Sequence, residues 1–144
     1  MALKLVLKPN ERVVINGCMM RNSARRLVLS VESYADVVRG HDLLDEDAPV
    51  TPVSRVYYLV QNALIHSKLR EDLVPIIQRE MANLANTFEH PSLGHIFEAA
   101  NFVSIGDYYK AMRALRHVLE HEAKLFDHIS SRAHTSAGAS FAAE

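Results

Sequence analysis

Three sets of residues in this chain have the types and spacing to do chemistry: a histidine series, a lone thiol and a run of cations near the N-terminus. His117 and His121 stand four apart in a segment of helical periodicity, with His128 seven further along, so their imidazoles project from one face. That geometry can hold a metal, but a closed site needs four ligands and no carboxylate and histidine set elsewhere completes one. A His-x-x-x-His on a charged helix is more often a solvated or interfacial feature, and neither a metal nor a cofactor is expected. Cys18 lies in an apolar strand pattern beside Met19 and Met20 with no base nearby in sequence. That is the setting of a buried structural thiol and not of a nucleophile, whose pKa must be lowered. The chain also lacks a glycine-rich phosphate loop, a Gly-x-Ser-x-Gly elbow, a Cys-x-x-Cys and a His-Glu-x-x-His. The expectation is a non-enzymatic protein that acts by binding other macromolecules.

The cations carry more information. The first forty residues hold seven basic side chains, Lys4, Lys8, Arg12, Arg21, Arg25, Arg26 and Arg39, against Glu11, Glu32 and Asp36, a local net charge of +4. Over the whole chain 16 basic residues meet 17 acidic ones, so no global field drives the protein onto nucleic acid or a membrane and any such binding rests on a local patch. An acidic stretch follows, with Asp42, Asp45, Glu46 and Asp47, and it can either shield the basic module or leave it free for phosphates. Both alternatives stay open on sequence. Arg25 and Arg26 beside a turn are the best placed for phosphate contact, whereas for Lys4 and Lys8 on a strand edge the alternative role is to discourage sheet-to-sheet aggregation. Tyr57-Tyr58 and Tyr108-Tyr109 open helices; adjacent helical residues point about 100° apart, so one of each pair belongs to the core and the other to the rim. Tyr58 and Tyr109 are the candidates for contact with a protein partner, where aromatics are enriched.

The elements that must position these residues change character along the chain. Leu3, Leu5 and Leu7 alternate with Lys4 and Lys8, which predicts a half-buried strand from Ala2 to Lys8. Pro9-Asn10 makes a turn, Arg12 to Asn16 is β-branched and apolar, and Asn16-Gly17 signals a hairpin with a returning strand over Cys18 to Arg21. Arg25 to Val31 and Tyr34 to Arg39 complete four or five short strands, a meander or open barrel that needs the helical half or a second copy of itself to cover its apolar face. Residues 41–52, with Pro49 and Pro52 and no period of either kind, read as a linker. Helical stripes then follow: Val53, Val56, Tyr57, Val60 and Leu64; Leu73, Ile76, Ile77, Met81, Leu84 and Phe88, with Pro75 forcing a helix start near Asp72 or a kink; Leu93, Ile96, Phe97, Ala100 and Val103; and, after Asp107 as a cap, Tyr108 to Phe126. The predicted architecture is α+β: a basic β-rich module over 1–40, the acidic linker over 41–52, three to four helices over 53–130 and a flexible tail over 131–144. No apolar run approaches the roughly 20 residues that cross a bilayer, and one cysteine with no leader pattern suggests a reducing, cytoplasmic setting.

Met-Ala-Leu-Lys-Leu-Val-Leu-Lys-Pro-Asn-Glu-Arg-Val-Val-Ile-Asn-Gly at the start of this chain resembles the opening of the FlbT family of flagellar biosynthesis regulators. The likeness continues through Arg25-Arg26-Leu27, Val38-Arg39, Thr51-Pro52 with Tyr57-Tyr58, and Asp107-Tyr108-Tyr109-Lys110-Ala111, covering about residues 2–125. Asn10 stands where family members commonly have glycine, and asparagine also tolerates the turn. The resemblance implies a post-transcriptional regulator that associates with the 5′ untranslated region of flagellin messenger RNA and promotes its degradation, working against a companion regulator, FlaF; some relatives activate instead. A looser likeness, in the order of strands, to the carbon storage regulator, a small dimeric RNA binder, implies that the basic residue late in the module, here Arg39, contacts RNA. Lys4, Arg25, Arg26 and Arg39 are thus the candidate RNA contacts, on a single-stranded or looped leader whose bases can be reached. The alternative is a protein-binding or chaperone-like factor whose amphipathic helices hold FlaF or flagellin, with indirect effects on the message. A homodimer is compatible with either, and neither involves DNA or a membrane.

Overall fold

The computed structural model describes the backbone of residues 2–142 and the side chains of residues 2–133. Its order is β1 (Leu3–Leu7), β2 (Arg12–Ile15), β3 (Cys18–Arg21), β4 (Leu27–Val31), β5 (Val37–Arg39), a 3-10 turn over Gly40–Asp42, then α1 (Pro52–Ile65), α2 (Arg70–Ala85), α3 (Ser92–Ser104) and α4 (Tyr108–Ala142). The α+β architecture is as predicted, five strands followed by four helices. The strands form two antiparallel sheets, β1-β4 and β3-β2-β5. Asn16 and Gly17 take positive φ of 50° and 80°, the conformation that a two-residue primed hairpin turn requires between β2 and β3.

The middle strand β2 explains why the module does not stand alone. Its successive side chains point to opposite faces. Val13 joins Leu5 and Leu7 in a small core between the two sheets, while Val14, with Val38 of β5, enters the main helical core. That core is built from Val53, Val56, Tyr57 and Val60 of α1, Ile77 and Met81 of α2, Ile96 and Ala99 of α3, and Ala111, Met112, Leu115 and Val118 of α4. Ribbon, sheet and helices therefore stack as three layers. The tip of the β2–β3 hairpin touches the helices as well, since a Cβ on Gly17 would lie 3.0 Å from the Leu64 carbonyl oxygen.

The segment 41–52 is docked rather than loose. Leu43 is buried in the main core. The Leu44 N–H donates to Gln61 Oε1 at 2.8 Å and Gln61 Nε2 donates to the Leu44 carbonyl at 2.9 Å. The Tyr57 hydroxyl donates to the Asp42 carbonyl, and Arg116 reaches both Tyr57 and the Asp42 carboxylate. At its end Thr51 and Ser54 form a capping box with Pro52 at the first helical position, so α1 starts at Pro52, the last residue of the segment read as linker. α2 starts at Arg70, two residues before the expected point, and runs through Pro75. The backbone of α4 stays helical through Ala142, across most of the segment read as a tail; the remainder of that reading lies outside the described residues.

Candidate nucleic-acid interface

The seven cations of the β module divide into those already engaged and those left to solvent. Arg12 pairs with Asp45 at 2.6 Å, so the acidic segment neutralises one of them directly. Arg21 donates to the Asn10 carbonyl at 3.0 Å. Arg39 is held most firmly: its guanidinium binds Glu11 at 2.9 and 3.1 Å and donates to the Val6 carbonyl at 2.8 Å, which ties β5 to β1 and to the turn before β2. Arg39 is thus a staple between the two sheets in this structure, with 30% of its side chain exposed.

Arg25 and Arg26 are exposed, as are Lys4 and Lys8, and none of the four takes part in an ion pair among the described residues. The turn that carries the arginines is fixed by Asn22. Its buried side-chain amide donates to the Leu7, Lys8 and Arg25 carbonyls at 3.3, 2.9 and 2.8 Å, and its oxygen accepts from the Ser23 N–H at 2.8 Å. A buried side chain so satisfied holds one local conformation, which presents the two guanidinium groups from a rigid base. The ribbon register places Leu7 opposite Leu27, so Lys8 at the end of β1 sits beside Arg26. Lys4 lies opposite Ser30, about 13 Å further along at 3.3 Å per residue. The structure therefore gathers Lys8, Arg25 and Arg26 at one end of the ribbon and leaves Lys4 at the other. Lys8 was legible only as an edge lysine; pairing β1 with β4 through Leu7 and Leu27 is the signal that groups it with the arginines.

Glu11 responds to its setting. The Lys8 backbone N–H above all, opposed by burial and supported by the Arg39 guanidinium, holds its carboxyl below the ordinary value of 4.5. A carboxyl whose folded pKa is depressed contributes stability above its unfolded pKa and loses it as pH falls through the folded one. Acid titration should therefore loosen the β1–β5 contact below about pH 4.5 in the native protein and not in Glu11→Gln, read as amide exchange at Val6 and Arg39. Identical acid profiles for the two proteins would dismiss the staple.

Cys18 is exposed, which corrects its expected burial: β3 is an edge strand whose four residues all face solvent. Tyr57 and Tyr108 are core and Tyr58 and Tyr109 half-buried, the division expected of adjacent helical residues. Tyr58 lines a cleft between α1 and the acidic segment with Leu44, Pro49 and Leu59, whereas Tyr109 lies at the α4 start under Arg113. His117 stacks on His95 of α3 at 4.3 Å between centroids, and His121 meets the edge of Phe88, so the two are used in helix contacts; among the described residues no group of three or more His, Cys, Asp or Glu could hold a metal. No helix among the described residues is long and apolar enough to cross a membrane.

Comparison with known proteins supplies what the geometry does not. The family described as "Flagellar protein FlbT" matches residues 3–126. The chain is 30% identical over 132 residues to the flagellum biosynthesis repressor protein FlbT of Caulobacter vibrioides, covering 91% of this chain and 94% of that protein. It is 31% identical over 128 residues to the probable flagellum biosynthesis repressor protein FlbT of Rhodopseudomonas palustris, covering 87% of this chain and 98% of the relative. No solved structure matches the chain.

Proposed function

Given that this chain belongs to the FlbT family of flagellar proteins, we propose that it regulates flagellum synthesis by binding the 5′ untranslated region of flagellin messenger RNA and promoting its degradation. That it is a regulator of flagellum synthesis rests on relatives named as repressors over nearly its full length. The RNA step rests on one observation, the rigid Asn22-held turn that exposes Arg25 and Arg26 next to Lys8 without ion-pair partners among the described residues. Unpaired cations on a fixed backbone neutralise phosphates without first breaking a protein contact, and release of counterions then favours binding. Lys4, farther along the ribbon, extends the track. Arg39 enters by holding β5 against β1, so its loss acts through the shape of the module. No residue is assigned a catalytic role; degradation falls to a nuclease that gains access to the bound message.

The test is a titration of purified, nucleic-acid-free protein against a labelled flagellin leader at two salt concentrations, with an unrelated RNA of equal length. Selective, salt-sensitive binding is expected, and changing Lys8, Arg25 and Arg26 together to alanine should lower affinity at least tenfold and flatten the salt slope by about two to three phosphate equivalents. Wild-type affinity in that variant would remove the interface. Absence of selective binding by the native chain would transfer the activity to contacts between the helices and a FlaF-type regulator or flagellin, with Tyr58 and Tyr109 as the surfaces to examine.

A further inference from the structure

Among the four outer edges of the two sheets, that of β4 stands out. Among the described residues the ribbon has two strands only, so β4 has β1 on one side and no backbone partner on the other. A two-stranded ribbon is marginally stable in water, and an open edge is a template for a further strand. Proteins guard such edges with charges, prolines or very short strands. β1 carries Lys4, β3 ends in Arg21 and β5 has three residues, but β4 reads Leu-Val-Leu-Ser-Val, five residues without a guard. Part of its apolar surface stays in solvent: Leu27 is 48% and Val28 59% exposed, while Leu29 and Val31 pack half-buried on the small core, and on β1 Leu3 and Val6 remain 50% and 38% exposed.

The flanking charges identify the occupant. Arg26 precedes the strand and Glu32 follows it; both are exposed and neither is in an ion pair among the described residues. A strand that is basic at its start and acidic at its end is complementary to itself when run antiparallel. We propose that β4 pairs with β4 of a second copy of this chain about a two-fold axis at Leu29. In that register Leu27 lies opposite Val31 of the partner subunit, Val28 opposite the partner's Ser30, and Arg26 opposite the partner's Glu32, the last contact occurring twice by symmetry. A slip by two residues breaks both charge pairs, and a slip by one turns the apolar face outward, so one register is selected. The product is a continuous four-stranded sheet, β1-β4-β4-β1, with an isologous interface. It sets the two turns at opposite ends of the new strand pair; in the dimer Arg26 is drawn onto the partner's Glu32, and Lys8 and Arg25 are the cations left unpaired for phosphate.

Light scattering on the full chain without RNA, across micromolar concentrations, tests this independently of the RNA proposal. A dimer is expected. Arg26→Glu or Glu32→Arg alone turns two attractions into two repulsions and should weaken association about tenfold, with circular dichroism unchanged, and combining the two reversals should restore it. A monomer at every concentration, as when the edge takes a strand from a different protein, overturns the proposal. So does a dimer that the single reversals leave intact or that the double reversal fails to restore.

Discussion

Replacing Glu122 by alanine will destabilise the protein by about 2–4 kcal/mol, since the buried Val53 N–H and the half-buried Thr51 hydroxyl lose a charged acceptor at once. Glu122 is 5% exposed on the core face of α4, one turn beyond Val118, where a hydrophobic residue would continue the stripe. Its carboxylate instead accepts from the Thr51 hydroxyl and, at 3.1 Å, from the Val53 N–H. The first backbone N–H groups of a helix have no partner within it and carry the positive end of its dipole, so an anion there is stabilised twice over. Thr51 also caps the helix through the Ser54 N–H at 3.1 Å, and Glu122 fixes the hydroxyl that does so. Glu122→Gln, which keeps shape and one acceptor, should fall between alanine and the native protein. Urea unfolding measures all three; an alanine variant within 0.5 kcal/mol of native, the range of ordinary surface substitutions, would show that the carboxylate does not anchor α1.

The second large effect concerns Val38. This strand residue is 1% exposed and packs among helical side chains, although it belongs to the β-rich part of the chain. Val38→Asp places an unpaired carboxylate where it finds no solvent, and a loss of more than about 4 kcal/mol is expected, enough to unfold a marginal domain. Because Val14 and Val38 share their core with α1 to α4, the helical circular dichroism and the β-module amide protection should disappear together. Helices that keep the native melting midpoint in this variant would mean that the two parts fold separately.

Legibility followed periodicity. The strands, the Asn16-Gly17 turn, the α1 stripe and the Asp107 cap all leave local marks, and the Lys110 N–H does bond Asp107 Oδ1 at 3.0 Å. What escaped was set by pairing across distance. Arg39 is committed to Glu11, 28 residues away, and no local pattern announces that bond. Residues 41–52 look unstructured because single side chains, Leu43 in the core and Leu44 on Gln61, anchor them without any repeat. On α3 hydropathy favours Phe97 for the core, yet Phe97 is 55% exposed and Ala99 fully buried. Which face of a helix is covered is set by the neighbours that pack on it, and hydrophobicity alone does not identify that face.

The docked segment also changes what kind of device a two-part regulator can be. A flexible tether raises the local concentration of a second ligand by an amount set by its length, while orientation averages out. Here Leu43, the Leu44–Gln61 pair, the Arg12–Asp45 bridge and the hairpin tip against Leu64 leave no such slack. A molecule seated on the helices is therefore presented to the Arg25–Arg26 turn at one distance and one angle, as by a jig. Lengthening residues 41–52 would not extend the reach of such a protein; it would spoil the alignment.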